Sequence, residues 1–98
     1  MVSDPVELGV PALGDLAVSV YLPERVTAST RHDIGLRTNY VSTPGDFTGA
    51  TDFTGTTTQS FHFLTAVEGQ ARKKAGAVVT LGESVTDGVG STPDTNQR

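Results

Sequence analysis

A single serine lies in the setting that nucleophilic catalysis requires. Ser84 follows the apolar run 77–81 and Gly82, and the glycine lets the backbone turn sharply where the run ends. A hydroxyl can act as a nucleophile when it projects from such a turn and a neighbouring base removes its proton. The spacing alone fits a nucleophile and a serine that only caps a turn equally well.

A histidine is the usual base for such a serine, and the chain has two. His32 lies between two charged residues at the start of a predicted strand. His62 alternates with Phe61 and Phe63 and shares its predicted face with polar groups, so it is the better candidate base, in the same chain or from a neighbouring copy. A surface or strand-edge position is the alternative for both histidines. Their spacing does not suit a zinc site, and no metal or other cofactor is predicted.

Residues 82–88, Gly-Glu-Ser-Val-Thr-Asp-Gly, resemble the first motif block of the SGNH (GDSL-type) esterases and lipases. That block is usually written Gly-Asp-Ser-Ile/Leu-Thr-Asp-Gly, and the resemblance covers residues 77–88 directly. It implies that Ser84 is the nucleophile and that its backbone N–H is one oxyanion donor. The supporting motif positions are Gly82, Glu83, Asp87 and Gly88.

Two acidic residues of the motif have different expected roles. The resemblance implies that Asp87 holds the turn and does not transfer protons. Glu83 stands where the family has aspartate and is longer by one methylene. It could still bond the turn backbone, with an altered geometry that affects the alignment of the nucleophile.

The family draws its remaining catalytic groups from later motif blocks. A glycine and an asparagine complete the oxyanion hole, and an Asp-x-x-His block supplies the base and its partner. The sequence ends ten residues after Gly88 without these blocks. We therefore expect a truncated form with an incomplete triad, slower by about 10⁴-fold or more than a complete site. The whole protein is expected to hydrolyse short acyl or acetyl esters of small molecules.

Alternating apolar residues predict the strands that would position this turn. The clearest strand is 16–22, and others are predicted at 6–10, 34–40 and 57–67. The run 77–81 is apolar without a break, which is typical of a strand buried on both faces. No helix is predicted before residue 84, and 85–98 is expected to be mostly loop.

The predicted fold class is mainly β, with a small antiparallel β-sandwich-like domain at 1–70. Residues 71–76, which include a basic cluster, form a predicted linker. Residues 77–98 would be the first strand and nucleophile turn of an incomplete SGNH-type α/β hydrolase domain. The β-rich region is similar, less specifically, to the N-terminal accessory domain of some bacterial GDSL-type esterases.

Charge and hydropathy limit the expected partners. The net charge of −4 gives no reason to expect nucleic acid, and no stretch has the ~20 apolar residues of a membrane helix. The N-terminal residues do not have the pattern of a signal peptide, so a soluble protein is expected, either secreted or cytoplasmic and bacterial. Unpaired edges of strand 77–81 predict a homo-oligomer that forms through this strand.

A non-catalytic β module that binds carbohydrate or a protein partner is the alternative function. Tyr21, Tyr40 and Phe47 could stack on a sugar. The loop 42–58 repeats Asp-Phe-Thr-Gly at 46–49 and 52–55. Calcium-binding repeats need more tandem copies, so two turns with phenylalanines tucked under the loop are expected.

Overall fold

The computed structural model describes residues 2–27, 30–71 and 73–95. Its strands and its helix are all short: β1 (Arg31–His32), β2 (Asn39–Ser42), β3 (Gly55–Thr58), β4 (Phe61–His62) and α1 (Ser84–Asp87). The strands form small antiparallel sheets, and the helix found in the described ranges is a single turn. The predicted mainly β class is confirmed.

The larger sheet pairs β2 with β3. Tyr40 lies opposite Thr57 and Ser42 lies opposite Gly55, which suits the β-branched threonines of β3. The pairing continues into the hairpin loop, where the Thr43 N–H donates to the Thr54 carbonyl at 2.9 Å. A Cβ at Gly55 would clash with the β2 backbone, so glycine permits the close approach of the two strands here.

The smaller sheet pairs β1 with β4, with His32 opposite Phe61. The chain that leaves β1 stays beside β4, because the Gly35 N–H donates to the Gln59 carbonyl at 2.8 Å. A Cβ at Gly35 would overlap the Phe61 ring. The absence of a side chain at Gly35 therefore lets the aromatic ring cover this backbone.

Little apolar surface is buried. Leu36, which is 6% exposed, is the one buried hydrophobic residue in the described part of the chain. The accessible surface is 9280 Å², whereas a compact protein of this mass exposes about 5300 Å². The predicted sandwich needs two buried inner faces, and the described residues do not form that packing.

Three predicted strands are wrong. Residues 6–10, 16–22 and 77–81 form no strand, and Val78, Val79 and Leu81 are 92%, 88% and 98% exposed. Alternation or apolarity indicates which residues favour a strand, but no strand in the described ranges pairs with any of these segments. The 77–81 run was expected to be buried, and its side chains are exposed to solvent instead.

The other two predicted strands are found only in part. Of the candidate 34–40, only residues 39–40 form a strand, as the start of β2, and the turn before it contains Leu36 at φ 54°. The candidate 57–67 is replaced by β3 and β4, and Phe63 at φ 62° follows β4. Such left-handed residues end a strand locally, whatever its apolar pattern.

Other expectations concern the C-terminal third. The mostly loop character expected after residue 84 is confirmed as far as residue 95, where turns follow α1. Arg72 of the predicted linker and residues 96–98 lie outside the described residues. In the described ranges, no helix is long and apolar enough to cross a membrane.

Truncating the one buried leucine tests how much this small core contributes to stability. We expect Leu36→Ala to lower the free energy of unfolding by about 2–5 kcal/mol, because burial is lost and a cavity remains. Ile34→Ala is the matched control, since Ile34 is 47% exposed. The check is the urea midpoint of each variant. Equal shifts for Leu36→Ala and Ile34→Ala would contradict a core centred on Leu36.

A carboxylate clamp joins the C-terminal segment to the turn before β2. Asp94 accepts the Thr38 N–H at 2.7 Å and the Thr38 hydroxyl at 2.6 Å, through its two oxygens. The Asp94 N–H donates to the Leu36 carbonyl at 2.9 Å. The clamp therefore fixes residue 94 beside the buried leucine.

The clamp predicts acid sensitivity. The Thr38 hydroxyl, and then its backbone N–H, lower the pKa of Asp94 below 3.8. A lowered folded-state pKa stabilises the fold above the unfolded value, and that stability is lost as the pH falls through the folded value. We expect Asp94→Asn to remove this part of the pH dependence below about 3.8, measured by thermal melting in a pH series. An unchanged pH dependence in Asp94→Asn, with Asp4→Asn as control, would contradict the clamp.

Candidate active site

The motif residues form a closed turn. Ser84 is the first residue of α1, and the preceding Glu83 is extended, with φ −115° and ψ −157°. The Asp87 N–H donates to the Glu83 carbonyl at 3.0 Å, and the Val89 N–H donates to the Ser84 carbonyl at 2.9 Å. Gly88 ends the helix at φ 92°, a left-handed conformation that glycine adopts without steric cost.

The start of this turn is open to solvent. Ser84 is exposed, and the Glu83 side chain makes no capping hydrogen bond. A hydrogen bond from the Glu83 side chain to the turn backbone was possible from the motif, and the structure does not contain this capping bond. The first N–H groups of a helix have no partner within the helix, so the Ser84 N–H is suited to an oxyanion.

Gly82 has a local steric role before the turn. A Cβ at this position would overlap the Thr86 side chain. Together with Thr80, Glu83 and Asp87, these two residues line a polar depression of about 300 Å³. The motif glycine thus lets the chain before α1 pass close to Thr86.

A histidine far away in sequence meets this turn. The His32 Nε2 atom lies 2.8 Å from the Asp87 Oδ2 atom, across 55 positions of sequence. Both side chains are about half exposed, at 47% and 42%. The His32 ring also stacks on Phe61, with centroids 6.3 Å apart and planes 18° apart. Asp87 therefore joins the motif turn to the β1–β4 sheet through its side chain, and its backbone N–H closes the turn itself.

The Asp87 bond determines which ring nitrogen of a neutral His32 is basic. An ionised carboxylate only accepts hydrogen bonds, so the Nε2 atom of His32 must carry the hydrogen. The lone pair then resides on the Nδ1 atom. Ser84 and Asp87 are three positions apart on α1, which makes them neighbours on one side of the turn, with Cβ atoms about 5–6 Å apart.

The structure places His62 on the other side of the β1–β4 sheet. Residues directly opposite in an antiparallel pair share a face, so His32 and Phe61 share one face, and Arg31 and His62 share the other. His62 is half-buried, with its ring 6.4 Å from that of Phe63. The sequence favoured His62 as the base, but the structure brings His32 to the motif. No spacing rule connects residues 32 and 87, because their contact depends on the tertiary fold.

The repeated Asp-Phe-Thr-Gly segments have different structures: 46–49 forms a turn, whereas 52–55 leads directly into β3, so the second expected turn is not found. Asp46 accepts the Thr48 N–H at 3.0 Å and the Thr48 hydroxyl at 2.7 Å, and these bonds lower the pKa of Asp46. Phe47 is half-buried and Phe53 is 41% exposed, and their ring centroids are 6.3 Å apart. The two rings therefore contact each other, but Phe53 is exposed, so the expectation that both phenylalanines tuck under the loop is not met for Phe53.

No group of three His, Cys, Asp or Glu side chains that could hold a metal ion is present in the described ranges.

Comparison with family models, curated proteins and solved structures finds no match to this chain. Membership of the SGNH family therefore stays a prediction from residues 77–88. The functional argument depends on the geometry of the turn and its histidine.

Proposed function

We propose that this chain hydrolyses small carboxylic esters, with Ser84 as nucleophile, His32 as general base and Asp87 as the partner that orients His32. The observation that supports it most is the 2.8 Å contact between His32 and Asp87. This contact brings an imidazole to the same helical turn as an exposed serine. The motif resemblance supports the same role for Ser84.

The proposed reaction uses these groups in two steps. The Ser84 Oγ atom bonds to the ester carbonyl carbon while its proton passes to the Nδ1 atom of His32. The alcohol leaves with that proton, and an acyl-serine remains. His32 then takes a proton from water while the oxygen of that water bonds to the acyl carbon. The bond between the acyl carbon and the Ser84 Oγ atom breaks as His32 returns the proton to this Oγ atom, and the carboxylic acid is released. Asp87 stabilises the imidazolium that forms in each step.

The proposed rate is low and the proposed substrate is small. One backbone donor, the Ser84 N–H, is assigned to the oxyanion, and each missing donor costs about 10²–10³-fold. The depression beside the motif is polar and has room for a short acyl or acetyl group rather than a long chain. Hydrolysis of a chromogenic acetate by the chain, beside its Ser84→Ala variant, tests the proposal.

The same proposal includes the predicted division of the chain. Residues 1–70 would belong to a mainly β accessory domain, 71–76 to a linker, and 77–98 to the first segment of an SGNH-type hydrolase. The mainly β character before residue 71 and the motif after residue 81 support this division. The exposed 77–81 run is then a segment whose partner strands come from elsewhere.

We predict that a second copy of the chain supplies the partner strand for residues 77–81, so that the protein self-associates. Val78, Val79 and Leu81 are all at least 88% exposed, and an unpaired extended segment can add to a strand of another copy. We expect a dimer or larger assembly in light scattering, reduced to a monomer by Val79→Asp. Val67→Asp, at a valine that is 59% exposed, is the control. A monomeric wild type with freely exchanging amides at 78–81 would contradict this prediction.

A non-catalytic β module is the second candidate function. The observation that favours it is the exposed aromatic ring of Tyr40, which contacts Phe53. Tyr40 lies on the β2–β3 sheet, whereas His32 lies on the β1–β4 sheet, so this aromatic surface is separate from the proposed base. Tyr21, another of the three predicted stacking residues, is 40% exposed outside both sheets. Ester hydrolysis equal in the wild type and in Ser84→Ala would favour this second function.

A further inference from the structure

A second depression lies on the β2–β3 sheet, and neither the motif nor its histidine explains it. It has a volume of about 410 Å³ and is lined by one strand residue of β2, the end of the hairpin loop and the start of β3: Tyr40, Thr51, Asp52, Phe53, Gly55, Thr56 and Thr57. Exposed aromatic and polar side chains therefore share one concave surface.

The aromatic side chains of the depression are packed against each other on one side and exposed to solvent on the other. Tyr40 is 66% exposed and meets Phe53 edge to face, with ring centroids 6.2 Å apart and planes at 84°. Phe53 in turn packs on Phe47. This contact orients the Tyr40 ring while leaving most of it exposed. A fixed and exposed ring face suits the C–H face of a sugar, which is apolar and flat.

The polar part excludes several other ligands. Within the described ranges the Asp52 carboxylate has no hydrogen bond or ion pair. It would repel a phosphate, and one carboxylate is too few for a metal site. An apolar peptide would leave the carboxylate and the threonine hydroxyls unpaired, which is unfavourable. Sugar hydroxyls both donate and accept, so they can pair with Asp52 and with the hydroxyls of Thr51 and Thr57.

We propose that this depression binds a neutral saccharide, with Tyr40 as the stacking residue and Asp52 as the main hydroxyl acceptor. This assigns a substrate class to the site at Ser84: an acylated saccharide whose sugar is held on the β2–β3 sheet. The substrate class depends on the proposed function, whereas the binding site does not.

Binding is tested in the Ser84→Ala protein, so that hydrolysis cannot intervene. The probes are cellotetraose and chitotetraose, titrated while amide and aromatic NMR signals are recorded. We expect shifts at Tyr40, Asp52 and Thr57, and about tenfold weaker binding in Tyr40→Ala. Tyr40→Phe should bind as before because it keeps the ring. Asp52→Asn should bind more weakly, and Tyr21→Ala should bind normally.

Two results would overturn the saccharide site. One is the absence of any shift with either probe, and the other is an equal loss of affinity in Tyr21→Ala and Tyr40→Ala. Hydrolysis by the protein that keeps Ser84 shows whether the esterase proposal fails independently of the saccharide site. Tyr40→Ala should raise KM for an acetylated xylotetraose several-fold more than it raises KM for a chromogenic acetate. If the wild type hydrolyses neither ester, the esterase proposal fails while saccharide binding is judged on the NMR result.

Discussion

Ser84→Ala is expected to lower the hydrolysis of a chromogenic acetate by about 10²-fold or more, to the rate of a protein without a nucleophile. The variant removes the one atom that bonds to the acyl group in the proposed reaction. Ser84 is exposed and its side chain has no hydrogen bond with another described residue, so the fold should be unchanged. The measurement is the steady-state rate of phenolate release, with circular dichroism as the check on folding.

Ser91→Ala is the matched control for the Ser84 variant. Ser91 lies seven residues further along, and its N–H donates to the Gly88 carbonyl at 2.9 Å. This backbone bond survives the substitution, so the wild-type rate is expected. A Ser84→Ala protein that is folded and as fast as the wild type would remove Ser84 from the mechanism.

His32→Gln is expected to slow the same reaction by about 10²–10⁴-fold, the usual contribution of a general base. Glutamine is informative because its amide can still donate a hydrogen bond to Asp87 while providing no basic nitrogen. The turn would then stay against the β1–β4 sheet and only proton transfer would be lost. The assay is again acetate hydrolysis, together with the Asp87 side-chain signal in NMR.

Control variants separate the proposed role of His32 as general base from its structural contact with Asp87. His62→Gln should keep the wild-type rate, since His62 lies on the other face of the sheet. Added imidazole should restore part of the rate to His32→Gly, which a purely structural role would not allow. The Ser84→Ala/His32→Gln double variant should be no slower than Ser84→Ala, because groups that act as a unit are not additive. Equal losses in His32→Gln and His62→Gln would refute the assignment.

The sequence predicted the parts of the fold that depend on local chemistry. Abundant threonine and glycine indicated strands and turns, and Gly82 and Gly88 marked a turn around Ser84. The structure has that turn, with Gly88 in the left-handed region. It also has strands at 39–42 and 55–58, where two β-prone segments are joined by a loop that lets them pair.

Pairing over long distances could not be predicted. Residues 16–22 alternate well and 77–81 is strongly apolar, but neither segment has a strand beside it. Alternation also assigned His62 to a polar face without showing what that face meets. The approach of His32 to Asp87 depends on how β1 and α1 lie relative to each other, which no local pattern contains.

Mapping a covalent adduct tests the central claim most directly. A fluorophosphonate reacts with a serine hydroxyl that a neighbouring base activates, and peptide mass spectrometry locates the modified residue. The account predicts one adduct per chain, on Ser84, formed slowly in the wild type and more slowly still in His32→Gln. An adduct on another serine, or labelling of Ser84 at the same rate in His32→Gln and the wild type, would contradict the proposed nucleophile and base.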